Sequence, residues 1–469
     1  MDIKLTFLGA ARNVTGSRYL LETNGSRLLI DCGLFQEREF VYRNWEPFGV
    51  PAASLDAILL THAHLDHAGF IPKLCCEGFQ GNIYCTHATA DIAAVMLLDS
   101  AKIQEEDAEF KRRRHQREGR RGRHPEQPLY TVPDAEASLN CFSRQVNYGV
   151  QTDIADGITA SFHDAGHVLG SAMIKLTLGK GGDRRTIVFS SDIGRWHVPI
   201  LRDPSLFPEA DYIVVESTYG NRLHGEQADI ADTLAEIINS TVDAGGHIVI
   251  PSFALERAQE ILYYINELLI AKRIPHLPVY LDSPMAIKVT EIFKDYPEIY
   301  DREMTRLLEL NRSPFRLPGL KMTRSVDDSK EINNLTDPAI IIAGSGMCTG
   351  GRIKHHLINN ISRPESTILF IGYQAQGTLG RHIIDGNREV RILGQRRKVR
   401  AHIEQMDGFS AHADRDELMK WLGAFKQAPR QVFVTHGETE AATSFCDHVT
   451  EKTGWKAVAP EYKSQVRLD

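Results

Sequence analysis

The densest cluster of metal-binding residue types in the 469-residue chain is Thr61-His62-Ala63-His64-Leu65-Asp66-His67. It follows the apolar run Ala57–Leu60 and precedes Ala68-Gly69. In an extended stretch residues i and i+2 point the same way, so His62 and His64 are placed to grip one ion, and a turn then brings Asp66 and His67 round to a second. Burying three imidazoles and a carboxylate this close together without an ion would be costly. The spacing therefore predicts a two-metal site. Further ligands are on offer at the ends of other apolar runs: His167 in His163-Asp164-Ala165-Gly166-His167, Asp192 in Ser190-Ser191-Asp192, and His436 in Val434-Thr435-His436-Gly437. Each sits next to glycine or serine, in the kind of strand-end loop where site residues concentrate in layered α/β folds.

The elements that must hold these residues are legible as alternating runs. Strand patterns open the chain at Ile3–Leu8, Tyr19–Glu22, Arg27–Ile30 and Ala57–Thr61, punctuated by Gly9, Asn24, Gly25 and Gly33. More follow at Ile158–Phe162, Ala172–Leu178, Thr186–Ser190 and Tyr212–Glu216, with helical periodicity at His87–Glu105. From about Asn221 the rhythm changes. Helical stretches Asp229–Asp243 and Glu256–Ile270 alternate with the buried-strand runs His247–Pro251 and Val279–Asp282, and Ala339–Ile342 leads through a glycine-rich turn to Ile353–Asn359. That alternation predicts a separate α/β unit with a parallel sheet. After about Gly394 come a strand Val399–Ile403, a helix Arg415–Phe425, a strand Gln431–Thr435 and a helix Glu438–Lys452.

Composition sets the frame. Charged residues make up 25% and hydrophobic residues 42%, ordinary globular usage, and the formal net charge of −7 means that a polyanionic partner must be met by a local patch. One such patch exists. Lys111–Arg123 holds eight Lys or Arg against the single acid Glu118, and Arg112, Arg113, Arg114, Arg120, Arg121 and Arg123 are read as an RNA-contacting run, against the plainer alternative of a solvated helix end. Seven cysteines, two of them adjacent at Cys75 and Cys76, argue against a disulfide framework and for a reducing compartment. No apolar run approaches the ~18 residues of a membrane span, and the start of the chain lacks a signal-peptide pattern. A cytoplasmic protein without membrane contact is expected.

On these residues the chain resembles the metallo-β-lactamase superfamily, and within it the β-CASP branch of nucleases. His62-Ala63-His64-Leu65-Asp66-His67 is similar to the superfamily's HxHxDH signature, Asp31 in Leu29-Ile30-Asp31-Cys32-Gly33 to the acidic residue before it, and His167 and Asp192 to its third and fourth motifs. The resemblance implies that His62, His64 and His167 hold one zinc, that Asp66, His67 and His436 hold the other, that Asp192 bridges, and that Asp31 orients a ligand. Glu216 in Val215-Glu216-Ser217-Thr218-Tyr219-Gly220 resembles motif A, His412 in Phe409-Ser410-Ala411-His412-Ala413-Asp414 motif B, and His436 motif C. Histidine at motif C implies RNA rather than DNA as substrate. The fold implied is α/β: an αββα metallo-β-lactamase sandwich, residues 1–219 and 395–469, interrupted by an α/β β-CASP domain at 220–394, with substrate entering between them. Neither an added N-terminal RNA-binding module nor the C-terminal domain of ribonuclease J is expected.

Phosphodiester hydrolysis needs a strong nucleophile at neutral pH, neutralised phosphoryl oxygens and a protonated leaving group. Two zinc ions sharing a hydroxide would supply the first two, and His412, kept oriented and protonated by Glu216, the third. Asp66 is a further catalytic candidate, orienting the hydroxide. The products would carry 5′-phosphate and 3′-hydroxyl ends. The glycine-rich stretch Gly344–Arg352 resembles the β-CASP GMxxGG segment, and Gly372–Arg381 is a second family-like segment. Ser345, Gly346, Met347, Gly350, Gly351, Arg352, Gln374 and Arg381 are read as RNA phosphate contacts. The spacing fits no nucleotide-cofactor motif, so none is expected. Ser252 lacks a nucleophile elbow, and His87, His163 and His197 are read as structural. A homodimer stays open among partners. The rival readings are a small-molecule hydrolase of the same superfamily and a catalytically silent RNA-processing scaffold.

Overall fold

The computed structural model describes residues 2–119, 126–179, 181–224, 230–372 and 374–469. Among them the chain forms two compact units, one of residues 1–197, 202–223 and 411–469, the other of residues 198–201 and 224–410.

Two seven-stranded sheets make the body of the first unit. One runs in the order Gln465–Leu468, Ile3–Phe7, Tyr19–Thr23, Ser26–Ile30, Ala57–Leu59, Asn82–Thr86, Arg144–Val146; the other in the order Ala457–Val458, Gln431–Val434, Tyr212–Val215, Arg185–Phe189, Ala172–Leu178, Ile158–Asp164, Thr152–Ala155. Alternate residues of both sheets form one core, with Ile3, Leu5 and Phe7 from the first packed with Ile174, Leu176 and Leu178 from the second. That is period-two patterning with one face of each sheet turned to the other. The intervening residues Met173, Val188, Ile213, Val215, Val432 and Val434 form a second cluster with Trp421 and Phe445, from the helices Arg415–Leu422 and Thr439–Thr453. On the other side the helix His87–Glu118 packs by Asn82–Thr86 and Arg144–Val146. It is 32 residues long, well past the Glu105 expected from periodicity, because a mostly exposed and charged last half carries no apolar stripe for periodicity to detect.

The second unit is built on a six-stranded sheet in the order Leu320–Met322, Val279–Asp282, Ile340–Ala343, Ile248–Pro251, Thr367–Ile371, His402–Met406, every pairing parallel. Its central strands are buried on both faces, which is why they read as unbroken apolar runs. The predicted strand Val399–Ile403 falls on the break between two strands and overlaps only the second: Gln395–Lys398 closes a hairpin with Glu389–Ile392, and His402–Met406 adds the last strand to the parallel sheet. This pairing carries the compact second unit on to Ser410, beyond the 394 expected.

Candidate active site

The metal-binding cluster begins where the strand Ala57–Leu59 ends. His62 follows that strand, His64 stands at the N-terminus of a short helix, Leu65–Ala68, and Asp66 and His67 lie within that helix. The turn closes against the loop after Ser26–Ile30: Cys32 N–H donates to the His67 carbonyl at 2.7 Å, and Phe70 N–H to the Cys32 carbonyl at 2.9 Å. Gly33 is required here, since a Cβ would stand 1.6 Å from the Asp66 carbonyl oxygen. Similarly, a Cβ on Gly194 would meet the Gly166 carbonyl at 1.8 Å, so the His167 loop can press against the loop after Asp192. Non-glycine residues at the site itself take positive φ: Asp31 at 59°, Ser191 at 56° and His436 at 50°. Such backbone persists where surrounding structure over-determines it, and clusters at functional sites.

The side chains converge into two donor sets. In the first, His62 Nε2 lies 3.0 Å from His64 Nδ1, which is 3.2 Å from His167 Nε2, and Asp192 Oδ2 is 3.5 Å from both His62 and His167. In the second, His67 Nε2 lies 3.0 Å from His436 Nε2, Asp192 Oδ1 is 3.4 Å from His67 and 3.5 Å from His436, and Asp66 Oδ2 is 3.6 Å from His436. Four donors sharing a tetrahedral ion at about 2.0–2.1 Å stand about 3.3 Å apart, so both sets have the size of such a site. Asp192 Oδ1 is buried and accepts no hydrogen bond, which an ion would remedy. The residues present therefore fit two ions, with Asp192 facing both.

Electrostatics agrees with geometry. Burial drives His62 and His167 well below their ordinary value and His64 down to about 4, so all three offer an unprotonated nitrogen. Burial opposes charge on His67 as well, but Asp192 and Asp31 outweigh it and raise that pKa; an ion would take the proton's place. The carboxyl of Asp192 is held well below its usual range: burial works against ionisation, and His436 and His67 overcome it.

Each buried imidazole is steered through its far nitrogen. Asp31 Oδ2 lies 2.6 Å from His67 Nδ1, and Asp31 itself accepts from Thr61 N–H at 2.9 Å and Ser17 Oγ at 3.1 Å. His62 Nδ1 meets Ser191 Oγ at 3.2 Å, His167 Nδ1 the Ala411 carbonyl at 3.2 Å, and His436 Nδ1 Thr218 Oγ1 at 3.2 Å. Such partners set tautomer and ligand orientation. Sequence reasoning named Asp31 and missed Ser17, Thr61, Ser191, Thr218 and the Ala411 carbonyl, although Ser191 adjoins Asp192 and Thr218 is two residues from Glu216.

His412 stands apart from the donor sets but against them, its ring 4.6 Å from that of His167. Its Nδ1 is 3.3 Å from Glu216 Oε1, and Glu216 is fully buried, accepting from Ile193 N–H at 2.6 Å and Thr218 N–H at 3.2 Å. Burial pulls the His412 pKa down, Glu216 pushes it up further, and it settles at about 9. The arrangement is an imidazole of raised proton affinity, oriented by a carboxylate, beside two donor sets of a size to hold metal ions.

Three family models match the chain: the metallo-beta-lactamase superfamily over residues 12–132, the Beta-Casp domain over 258–383, and a Zn-dependent metallo-hydrolase RNA specificity domain over 396–460. The chain is 39% identical to ribonuclease TTHA0252 of Thermus thermophilus over 93% of its own length and 94% of the relative's. The chain belongs to the β-CASP branch of the metallo-β-lactamase superfamily. It is also 33% identical to the transcription termination factor FttA of Methanocaldococcus jannaschii, over 95% of this chain and 69% of that one. A crystal structure of a protein of unknown function from Enterococcus faecalis shares the fold, with a TM-score of 0.58, 12% identity and full coverage of both chains.

The β-CASP unit holds the residues predicted to contact phosphate. Its glycine-rich turn runs from Ile340–Ala343 to the helix Ile353–Asn360. Ser345 Oγ accepts from Thr349 N–H at 3.2 Å, Gly380 N–H donates to the Met347 carbonyl at 3.3 Å, and Gly351 has φ 71°. Gly350 has open space around its Cα. Two residues expected to touch phosphate are instead engaged with the protein. Arg352 donates to Asp282 Oδ1 at 2.7 Å and to the Thr323 and Arg324 carbonyls at 2.9 Å, and the buried Gln374 donates to the Gly346 carbonyl at 3.0 Å. Both therefore shape the turn. Arg381 pairs with Asp385 at 2.8 Å on the surface.

In the basic run, Arg113 pairs with Glu109, Arg114 with Glu118 at 3.0 Å, and Arg112 donates to the Glu126 carbonyl at 3.2 Å. Arg120, Arg121 and Arg123 lie outside the described residues. The seven cysteines are free thiols, Cys75 Sγ and Cys141 Sγ lying 3.8 Å apart. Among the described residues no helix is long and apolar enough to cross a membrane.

Proposed function

We propose that the protein is a zinc-dependent ribonuclease that holds two ions, hydrolyses RNA phosphodiester bonds and leaves 5′-phosphate and 3′-hydroxyl ends. The observation that carries this reading is the pair of donor sets meeting at Asp192, with the His412–Glu216 pair against them. Ions bound there supply a nucleophile from water near neutral pH and neutralise charge on the phosphoryl oxygens. The protein's own groups do the rest. Asp66, partly exposed, accepts a hydrogen bond from the attacking oxygen and orients it. His412 keeps its Nδ1 proton toward Glu216 and hands the Nε2 proton to the departing 3′-oxygen. Glu216 raises the proton affinity of His412, which suits a group that carries a proton to the leaving oxygen.

Histidine at position 436 supports RNA over DNA through the motif resemblance. The turn carrying Ser345, Gly346, Met347, Gly350 and Gly351, together with Arg381, would hold RNA phosphates, and Arg352 and Gln374 would keep that turn in shape. The unpaired cysteines support a reducing compartment, the cytoplasm. The test is end analysis. A short oligoribonucleotide cut by the zinc-loaded protein should yield 5′-phosphate and 3′-hydroxyl fragments by mass spectrometry, and a single 2′-deoxy substitution at the cut site should be tolerated. Cyclic 2′,3′-phosphate ends would show that the 2′-hydroxyl is the nucleophile and overturn the mechanism.

A further inference from the structure

We propose that Phe253 is a base-stacking residue, receiving one nucleobase of single-stranded RNA at the carboxyl edge of the parallel sheet, beside the turn that carries Gly346. The proposal rests on the ribonuclease reading above and extends it to a residue outside the metal centre and outside the phosphate contacts.

Topology marks the place. The neighbouring strands Ile248–Pro251 and Ile340–Ala343 run parallel, but the chain leaves the first toward Val279–Asp282 and the second toward Thr367–Ile371, on opposite sides. Val279–Asp282 lies beyond Ile340–Ala343 in the sheet and Thr367–Ile371 beyond Ile248–Pro251, so each connection passes the end of the other strand and the two loops meet at the carboxyl edge, where ligands bind in open α/β sheets. The two loops here are Ser252–Glu256 and Gly344–Arg352.

Phe253 is 43% exposed between residues that are nearly inaccessible, Ser252 at 2% and Leu255 at 4%. Its backbone is pinned from both sides. Ser252 N–H donates to the Ala343 carbonyl at 2.9 Å, Ser252 Oγ to the Phe253 carbonyl at 2.9 Å, and the buried Gln259 amide to the Ala254 carbonyl at 3.1 Å. The ring edge rests on Gly346, where a Cβ would come within 2.9 Å of Cδ2 and Cε2. A glycine thus lets the ring lie against the turn while leaving the rest of it to solvent.

Single exposed apolar residues are common and need no partner. Here the backbone is fixed and one ring edge rests on Gly346, so an occupant would cost the side chain less freedom than on an open loop. Among the described residues it is also the one large exposed hydrophobic on either loop, and the turn carrying Gly346 also bears the hydroxyls of Ser345 and Thr349. One flat apolar surface among hydroxyls and backbone amides suits a nucleobase attached to a phosphate, since every base has a π-face. An extended apolar peptide would need more than one such anchor.

The experiment measures RNA binding by the zinc-loaded full chain carrying His412→Ala, so that substrate is not consumed, with and without Phe253→Ala or Phe253→Trp. Phe253→Ala should raise Kd by about five- to 150-fold, which is about 1–3 kcal/mol at about 1.4 kcal/mol per decade, and Phe253→Trp should retain affinity. The log–log salt slope should not move, because no phosphate contact is lost. Across oligoribonucleotides that each carry one abasic nucleotide, one position should weaken the parent and make Phe253→Ala no worse. Parent-like RNA binding by Phe253→Ala, as expected if the ring seats a protein partner, would overturn the proposal, as would an equal loss at every abasic position. If the chain with His412 intact holds two ions yet neither binds nor cleaves RNA, the ribonuclease reading itself fails, a result distinct from a failure of Phe253 alone.

Discussion

Asp192 in the metallo-β-lactamase unit and Asp282 in the β-CASP unit are both fully buried carboxylates at strand ends, and their surroundings differ in kind. Asp282 is complete: Oδ1 receives Arg352 at 2.7 Å, and Oδ2 receives Ser329 and faces His356 Nε2, both at 2.6 Å. Asp192 is incomplete, with Oδ1 accepting no hydrogen bond and with five imidazoles converging on the space around its two oxygens. A buried charge satisfied by neighbours is architecture, and one whose neighbours offer lone pairs needs a cation.

The largest effect tests the incomplete site. Asp192→Ala should reduce bound zinc from about two ions per chain toward none and abolish hydrolysis, because one carboxylate serves both donor sets. Elemental analysis showing parental zinc in a folded variant would remove Asp192 from the ligands.

His412 sharpens the contrast between holding a metal and using one. His412→Ala should retain its zinc and lose about 10²–10⁴-fold in rate on RNA. A phosphodiester with an activated leaving group, which needs no proton, should recover much of that loss. Equal slowing of both substrates would show that His412 is not the general acid.

Asp282 should behave in the opposite way to Asp192. Asp282→Ala leaves Arg352 and His356 without their carboxylate, and breaking a buried pair of this kind costs about 3–5 kcal/mol. Zinc content should stay at the parental value while the β-CASP unit unfolds at lower denaturant. The pH dependence follows in sign. Burial raises the Asp282 pKa, but His356, Ser329 and Arg352 outweigh it and hold it below 3.8. Its contribution is therefore present above pH 3.8 and lost as pH falls through the folded value. Asp282→Asn should flatten that acid limb in denaturation curves collected across pH.

The smallest effect concerns charge at the surface. Replacing Arg112, Arg113 and Arg114 by alanine should lower the log–log salt slope of RNA binding by at most roughly 0.7 per phosphate contact removed. Arg113 and Arg114 already pair with helix acids, so Arg112 should account for most of any change. A slope identical to the parent's would make the run a solvated helix end.

The β-CASP unit also shows where local sequence stops being informative. Its central strands are legible as apolar runs, because burial on both faces leaves no polar position to interrupt them. Its last strand, His402–Met406, is mostly exposed and has no such signature, so only pairing with Thr367–Ile371 reveals it. Arg352 is a similar case. A cation after a glycine-rich turn reads as a phosphate contact, and nothing within that segment shows that Asp282, seventy positions earlier, already holds it.

Local chemistry is legible from residue order: His62, His64, Asp66 and His67 sit on one strand-to-helix turn, and their spacing alone is enough to predict two ions. Family resemblance added Asp31, Glu216 and His412 from the motifs around them. Tertiary structure decided how those groups meet. It turned Asp192 so that one oxygen faces each donor set, brought His436 within 3.0 Å of His67 across 369 positions, and chose Ser191, Thr218 and the Ala411 carbonyl to steer the imidazoles. The physical reason is range. Spacing along a strand or turn is set by backbone geometry within a few residues, whereas the distance between loops is set by how two sheets pack and where glycine lets them touch.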